Sequence, residues 1–296
     1  MRGCRLKPPS FGYHRPLTVA DALAALAESG SDAKVLAGGQ SLIPLLNMRL
    51  AAPKVLVDIN RLGGELDRIE VDDQAVRIGA LVRHARLLRP GSPAAALPLL
   101  AEATRNVAHP TIRNRGTAVG SLVHADPAAE LPAVLLLSGG SVELASVHGT
   151  RAVPADQFFV GPLQAALAPG ELAVAATFPR PPARSGSAFL EVSRRAGDYA
   201  LVGVALQVRL DGDGRVASAR AAYLSVGPTP VLVDLTDAVT GSTVDWEDAG
   251  RLAQSQVEPD DDIHASAAYR RHLVGVLTRR AGQVALARAR EASGDA

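Results

Sequence analysis

Apolar and polar positions divide the chain into stretches with different rhythms. Over residues 18–29 (TVADALAALAES) apolar positions recur at helical spacing, Thr18 stands as an N-cap with Asp21 three residues on, and Gly30 stops the run. A helix is expected there. A short apolar strand follows at Lys34–Ala37, then a tight Gly38–Gly39 turn, a short helix over Ser41–Leu50 and a buried strand at Val55–Ile59. The middle of the chain changes period. Asp67–Ile69, Ala75–Leu81 and Gly140–Leu144 alternate or run short, as strands do, whereas Ala94–Val107 repeats as a helix. Leu131–Leu137 is apolar throughout, and its period fits a helix or a buried strand equally.

Pro179–Ser187 (PRPPARSGS) crowds Pro, Gly, Ser and Arg into linker chemistry. The main domain boundary is expected there, with one domain over 1–180 and a second over 187–290. Beyond it, Ala188–Ser193, Leu201–Leu210 and Val216–Val226 read as strands, the last two joined by the turn Asp211-Gly212-Asp213-Gly214. Pro230–Arg290 reads as mainly helical and Glu291–Ala296 as a disordered end.

Charge and composition narrow the function classes. Lys and Arg total 31 against 30 Asp and Glu, for a net charge of +1, which gives no electrostatic case for a nucleic-acid partner. Aromatic residues make up 3% of the chain, too few for base-stacking platforms. One cysteine, Cys4, cannot build an intrachain disulfide, a cysteine-ligated iron–sulfur cluster or a cysteine zinc site. The N-terminal residues are basic but carry no apolar core of a signal peptide, and no apolar run is long enough to span a bilayer. A cytoplasmic protein is expected. The histidines His14, His84, His109, His148, His264 and His272 show no metal-ligand spacing and read as surface or core residues. The arginines of the last helical stretch (Arg270, Arg271, Arg279, Arg280, Arg288, Arg290) read as a solvated face, with a partner contact as the alternative.

Three segments carry chemistry. In Lys34–Leu42 (KVLAGGQSL) two glycines at a strand end allow a sharp turn and a close backbone approach to a ligand. Their N–H groups, with those opening the next helix, can form an anion-binding nest, and Gln40 and Ser41 add side-chain donors. A plain tight turn is the alternative. Thr111–Pro132 (TIRNRGTAVGSLVHADPAAELP) gathers Arg113, Asn114, Arg115, Gly116, Thr117, Gly120, Ser121, His124, Asp126 and Glu130 within an otherwise apolar chain. That density fits a binding site, and helix caps with an Asp-Pro turn are the alternative. In Arg194–Tyr199 (RRAGDY) Tyr199 can present a flat face to a ring system and Asp198 can accept hydrogen bonds, although a lone tyrosine is often core or rim.

Together these segments resemble the FAD-binding medium subunit of molybdenum hydroxylases, the xanthine dehydrogenase and aerobic carbon monoxide dehydrogenase group. The likeness runs nearly end to end. It includes FGYHRP (Phe11–Pro16), LAGGQSLIPLLNMRLAAP (Leu36–Pro53), IGALVRHA (Ile78–Ala85), Thr111–Pro132, FFVGPL (Phe158–Leu163), RRAGDYALVGVA (Arg194–Ala205) and DDIHASAAYRRHL (Asp261–Leu273). The resemblance implies an α+β fold. A vanillyl-alcohol-oxidase-type FAD-binding domain of two subdomains, about 1–60 and 61–180, would precede a C-terminal α+β domain. It implies non-covalent FAD, bound by a diphosphate loop at Ala37, Gly38, Gly39, Gln40 and Ser41 with Lys34, Val35, Leu36 and Leu42 beside it. A second wall is implied at Thr117, Ala118, Val119, Gly120 and Ser121, with His124, Glu130 and Leu172 along the cofactor and Asp198 and Tyr199 at the isoalloxazine ring.

The function implied is an oxidoreductase subunit that takes electrons from iron–sulfur clusters and passes them to NAD, a quinone or oxygen. The molybdenum cofactor and the clusters are expected on a large and a small partner subunit, in a heterotrimer. No catalytic nucleophile and no metal ligand are expected in this chain. Two other readings stand beside it: a stand-alone flavin oxidoreductase, and an assembly subunit that has lost FAD. The latter is motivated by Val119, which stands where the family usually has glycine. A β-branched residue there would be strained if the position needs a positive φ, or would crowd the diphosphate if it needs close approach. A smaller departure is Ala108, where glycine is common.

Overall fold

The computed structural model describes residues 7–240 and 244–294, so Cys4 lies outside the described residues. The first stretch is a small parallel α/β unit. Strand β1 (Gly12–His14), helix α1 (Val19–Ser29), β2 (Ala33–Leu36), α2 (Leu42–Asn47) and β3 (Val55–Asp58) follow one another. The strands lie in the order β1-β3-β2, both pairs parallel. Helix α1 forms as expected. The Thr18 hydroxyl accepts from the Asp21 N–H at 3.1 Å, and Ala22 and Leu26, four apart, are buried.

The second stretch begins with α3 (Gly63–Leu66), β4 (Ile69–Val71), β5 (Ala75–Gly79) and α4 (His84–Leu87). Helices α5 (Pro98–Asn106), α6 (Pro110–Arg113), α7 (Ala118–His124) and α8 (Glu130–Ser138) follow. Strands β6 (Ser141–Ser146) and β7 (Gly149–Pro154), helix α9 (Ala155–Phe158), and β8 (Phe159–Gly161), β9 (Gln164–Ala165) and β10 (Leu172–Pro179) complete it. An antiparallel sheet in the order β4-β5-β10-β6-β7 forms its floor. The run at Leu131–Leu137 is helical. Leu131, Pro132, Ala133, Val134, Leu135 and Leu137 of α8 are all buried, which is how a helix packed on every side conceals its period. The expected helix over Ala94–Val107 is split, because Pro98 cannot continue a hydrogen-bonded turn and instead opens α5.

The third stretch is a meander of β11 (Ser185–Ser193), β12 (Ala200–Leu210), β13 (Val216–Leu224) and β14 (Val231–Asp234), followed by α10 (Thr236–Val239), α11 (Trp246–Ser255) and α12 (Ala267–Ser293). Asp211 Oδ1 accepts from the N–H groups of Asp213 and Arg215, each at 2.9 Å, and fixes the turn between β12 and β13. Two expectations change here. The stretch after Pro230 opens with strand β14, which pairs with β13 from Tyr223 to Arg220. Helix α12 runs on through Glu291 to Ser293, where the sequence suggested disorder; residues 295–296 lie outside the described ones.

Strand β12 is buried on both faces. Val202, Val204, Leu206 and Val208 point into a core with α11 and α12, while Ala205 joins Ala222, Leu224 and Phe189 in the core of the first two stretches. Polar ties cross the same seam. Glu102 of α5 pairs with Arg288 of α12 at 2.6 Å and accepts from the Phe189 N–H at 3.1 Å. The arginines of α12 are therefore not one solvated face. Arg270 is buried, donates to the Leu201 and Ser225 carbonyls and pairs with Asp262, because a guanidinium can satisfy several acceptors at once.

Candidate functional site

Strand β2 delivers the first glycine segment at its C-terminal end. Gly39 turns the chain with φ +73°. Gly38 has a different reason. A Cβ there would lie 2.5 Å from the Arg115 carbonyl oxygen and 2.8 Å from the Gly116 Cα, so the two glycine segments touch backbone to backbone. Gln40 folds back and donates to the Gly38 carbonyl at 3.1 Å. Among the described residues, the N–H groups of Gly38, Gly39, Gln40, Ser41 and Val119 have no acceptor. Such a set of free backbone donors fits an anion with several oxygens.

The first segment is held from below. Asn60 donates to the Ala37 carbonyl at 2.9 Å and is fixed by Asp58 Oδ1 at 2.6 Å. Burial pushes the Asp58 carboxyl up, but hydrogen bonds from Tyr13 and Asn60 outweigh it and hold the group below its ordinary value.

The second segment is built around the start of α7. Thr117 caps the helix, its hydroxyl accepting from the Gly120 N–H at 3.1 Å. Val119 lies inside α7 with helical rather than positive φ, and its side chain is 2% exposed in the core beside Ala118 and Leu122. It does not strain the backbone, and its side chain is spent in the core. Val119→Gly is accordingly expected to cost about 2–3 kcal/mol of stability, through lost apolar burial and helix propensity, without tightening flavin binding. Urea unfolding and a flavin titration of the variant check this. Ala108 does take a positive φ, +42°, in the region that favours glycine.

The other residues of the second segment divide between roles. Arg113 is committed to structure: it donates to the carbonyls of Arg105, in the last turn of α5, and of Val107 and Ala108 just beyond it. Arg115 lends its carbonyl, and its side chain stands exposed. Ser121 Oγ lies 3.0 Å from His84 Nε2. His124 is half-buried at the end of α7. Glu130 opens α8, and burial, with Glu191 and Asp126 nearby, pushes its carboxyl up to about 8. Lys34 is exposed, whereas Val35, Leu36 and Leu42 are half-buried around the first segment. Leu172 does not join these residues on an open surface. It begins β10 with 2% exposure, and its aliphatic side chain is spent in the core.

The third segment docks on the second. A Cβ at Gly197, φ +87°, would lie 2.3 Å from the His109 ring, so the 194–199 loop is seated against the residue preceding α6. Tyr199 is 72% exposed. It borders a cavity of about 1080 Å³ with Asp126, Arg194, Asp198, His264 and Arg270. The protein around its hydroxyl, and then Asp126 and Glu130, push that group above its ordinary value.

Sequence reasoning missed Asp58, Asn60, Arg83, His84 and Glu191. Asp58 and Asn60 had a readable signal, an Asp two residues before an Asn at a strand end, which favours an Asx turn. Glu191 had none: it sits in an alternating strand, and burial alone pushes its carboxyl up to about 7, with Oε2 buried and unpartnered.

Residues 9–181 match the family described as the FAD binding domain in molybdopterin dehydrogenase. The chain belongs to that family. Residues 187–285 match the CO dehydrogenase flavoprotein C-terminal domain. The chain is 44% identical over 289 residues to the 6-hydroxypseudooxynicotine dehydrogenase complex subunit alpha of Paenarthrobacter nicotinovorans, covering 96% of this chain and 97% of that one. It is 37% identical over 287 residues to the carbon monoxide dehydrogenase medium chain of Afipia carboxidovorans, covering 96% and 99%. Among solved structures, the fold matches a carbon monoxide dehydrogenase from Hydrogenophaga pseudoflava with a TM-score of 0.89 at 37% identity, covering 95% of this chain and 99% of that one. The family's α+β architecture is therefore that of this chain. Among the described residues no group of His, Cys, Asp and Glu could hold a metal ion, and no helix is long and apolar enough to cross a membrane.

Proposed function

We propose that this chain is the FAD-binding, electron-transferring medium subunit of a heteromeric molybdenum hydroxylase. The observation that carries the reading is the contact of the two glycine segments at Gly38 and Gly116, which sets the unpartnered N–H groups of 38–41 beside the segment that carries that of Val119. A diphosphate matches that donor set in charge and in number of oxygens. When bound, FAD supplies the redox chemistry.

This chain's residues bind and orient. The backbone of Ala37, Gly38, Gly39, Gln40 and Ser41 would hold one side of the diphosphate, with Lys34, Val35, Leu36 and Leu42 flanking it. Thr117, Ala118, Val119 and Gly120 would offer backbone from the other side, and Ser121 a hydroxyl. Tyr199 and Asp198 would border the flavin ring, with His124 and Glu130 behind. Glu130 holds its proton at neutral pH and can donate a hydrogen bond that an ionised carboxylate cannot.

Partner subunits supply the rest: a large one with the molybdenum cofactor and a small one with iron–sulfur clusters, which a chain with one cysteine cannot ligate. Its relatives are named as subunits or medium chains, which supports a heteromeric setting over a stand-alone enzyme. NAD, a quinone or oxygen would be the acceptor, and a cytoplasmic location accompanies this reading. The visible absorption spectrum of the purified chain, before and after adding FAD, tests it. Flavin bands that stay with the protein on gel filtration, and are released by denaturation, are expected. A chain that stays colourless in excess FAD overturns the reading.

A further inference from the structure

The segment 82–84 touches both walls of the cleft. Val82 accepts from the Ala118 N–H at 3.0 Å, and the His84 N–H donates to the Gly116 carbonyl at 3.0 Å. Between them Arg83 and Thr117 form an antiparallel bridge. The Arg83 guanidinium then spans the two walls. One nitrogen donates to the Arg115 carbonyl, and the other donates to Asn60 Oδ1 at 2.6 Å, whose amide holds the Ala37 carbonyl. The His84 ring lies under the second wall, with Nε2 3.0 Å from Ser121 Oγ.

We propose that Arg83 and His84 are positioning residues for the diphosphate of FAD: Arg83 sets the gap between the two walls, and His84 aims the Ser121 hydroxyl into it. The proposal rests on the FAD reading above and deepens it.

Arg83 is fixed by geometry. Its three anchors (the Arg115 carbonyl, Asn60 and, through Asn60, the Ala37 carbonyl) belong to walls that approach to backbone contact at Gly38. A planar fork fixes both the distance and the angle between two acceptors, which a lysine would not. His84 is fixed by its hydrogen bonds. The ring is 2% exposed and Nδ1 has no partner. A buried orphan N–H is rarer and costlier than a buried orphan acceptor, so the single ring proton belongs on Nε2. Nε2–H then donates to Ser121 Oγ. The Ser121 hydroxyl, having accepted that bond, has its own proton free to donate to a phosphate oxygen. Burial and the charges of Arg113 and Arg83 push His84 down to about 4, so the ring stays neutral at physiological pH.

The test uses the full-length chain freed of flavin. FAD affinity is read by quenching of flavin fluorescence, the bound diphosphate by phosphorus NMR, and the fold by the thermal midpoint of the flavin-free protein. Arg83→Met is expected to weaken FAD about thirtyfold and shift the phosphorus resonances, with an unchanged midpoint. His84→Phe and Ser121→Ala are each expected to weaken it about tenfold. The double variant should be no weaker than either single one, because both changes remove the same hydrogen bond. His84→Gln, which keeps a donor and guards against a folding failure of His84→Phe, should retain wild-type affinity. Unchanged affinity in Arg83→Met, or additive losses in the His84–Ser121 cycle, would overturn the proposal while wild-type FAD binding left the functional reading intact. Loss of affinity only in step with a lowered midpoint would also overturn it. A wild-type chain that does not bind FAD defeats the functional reading instead.

Discussion

Gly38→Ala is expected to strip the chain of flavin, with at least a hundredfold weaker dissociation constant for FAD. The added Cβ would sit 2.5 Å from the Arg115 carbonyl oxygen and 2.8 Å from the Gly116 Cα. Both obstacles are backbone, so no rotamer change relieves the clash, and the walls must separate. Arg115 also accepts from Arg83, and Gly116 from the His84 N–H, so the separation breaks ties on both sides. A hundredfold loss corresponds to about 2.7 kcal/mol, within reach of a displaced loop that no longer aligns several donors. Gly39→Ala makes the comparison. Its φ of +73° carries about 1–2 kcal/mol of strain for a residue with a Cβ, but the atoms it would meet are side chains of Ile43 and Leu36, at 3.1 and 3.2 Å. It should weaken FAD less. Equilibrium titration of both variants with FAD decides the order, and a Gly38→Ala chain that binds FAD at wild-type strength would show that the walls need not touch.

Stability of the chain is expected to fall as pH rises between about 4.5 and 8. Burial pushes the carboxyls of Glu130 and Glu191 from 4.5 up to about 8 and about 7, and the charge of Glu191 adds to the shift of Glu130. In that window the unfolded chain releases two protons that the native chain keeps. Their contribution to the slope is therefore negative, at most roughly 2.7 kcal/mol per pH unit while both groups differ, and roughly half that from about 7 to 8. Above 8 both states are ionised and the slope flattens. His84 works against the two glutamates: burial, with Arg113 and Arg83, holds it down to about 4, so the native ring stays neutral where the unfolded one binds a proton, and it offsets roughly half of the decline between about 4.5 and 6.5. Asp262, held at about 2 by N–H bonds from Ala265 and His264 and by Arg270, adds stability that is lost only in acid, below about 4. Urea unfolding at pH 5.5, 7.0 and 8.5 measures the trend. Glu130→Gln, which cannot ionise, should halve the slope just above pH 6.5 and stabilise the chain at pH 8.5. An unaltered slope in that variant would remove Glu130 from the account.

How far the chain could be read without its fold differs from residue to residue. The strand, glycine turn and helix over 33–47 were legible because each step is local: an apolar run, a positive φ at Gly39, and a helix that begins at once. The turn at 211–214 was legible for the same reason. Leu131–Leu137 was not, because a helix covered on all sides loses the polar face that marks its period. The site divides in the same way. Exposed Tyr199 beside its cavity and the two glycine segments were named from the sequence, whereas Arg83 lay unremarked in IGALVRHA and His84 was read only as a surface or core histidine.

The sequence by itself determined the local units: where the chain turns, which residues can donate from the backbone, and that one cysteine leaves no cluster to be held here. The tertiary structure decided which of these act together. It buried Val119 in the core rather than in the cleft, committed Arg113 to the carbonyls beyond α5, and brought Arg83 between residues 23 and 32 positions away. It also raised Glu130 and Glu191, which are ordinary carboxylates in an extended chain. The physical reason is that burial, ionisation and close backbone approach depend on the neighbours a residue acquires, and those neighbours are distant in sequence.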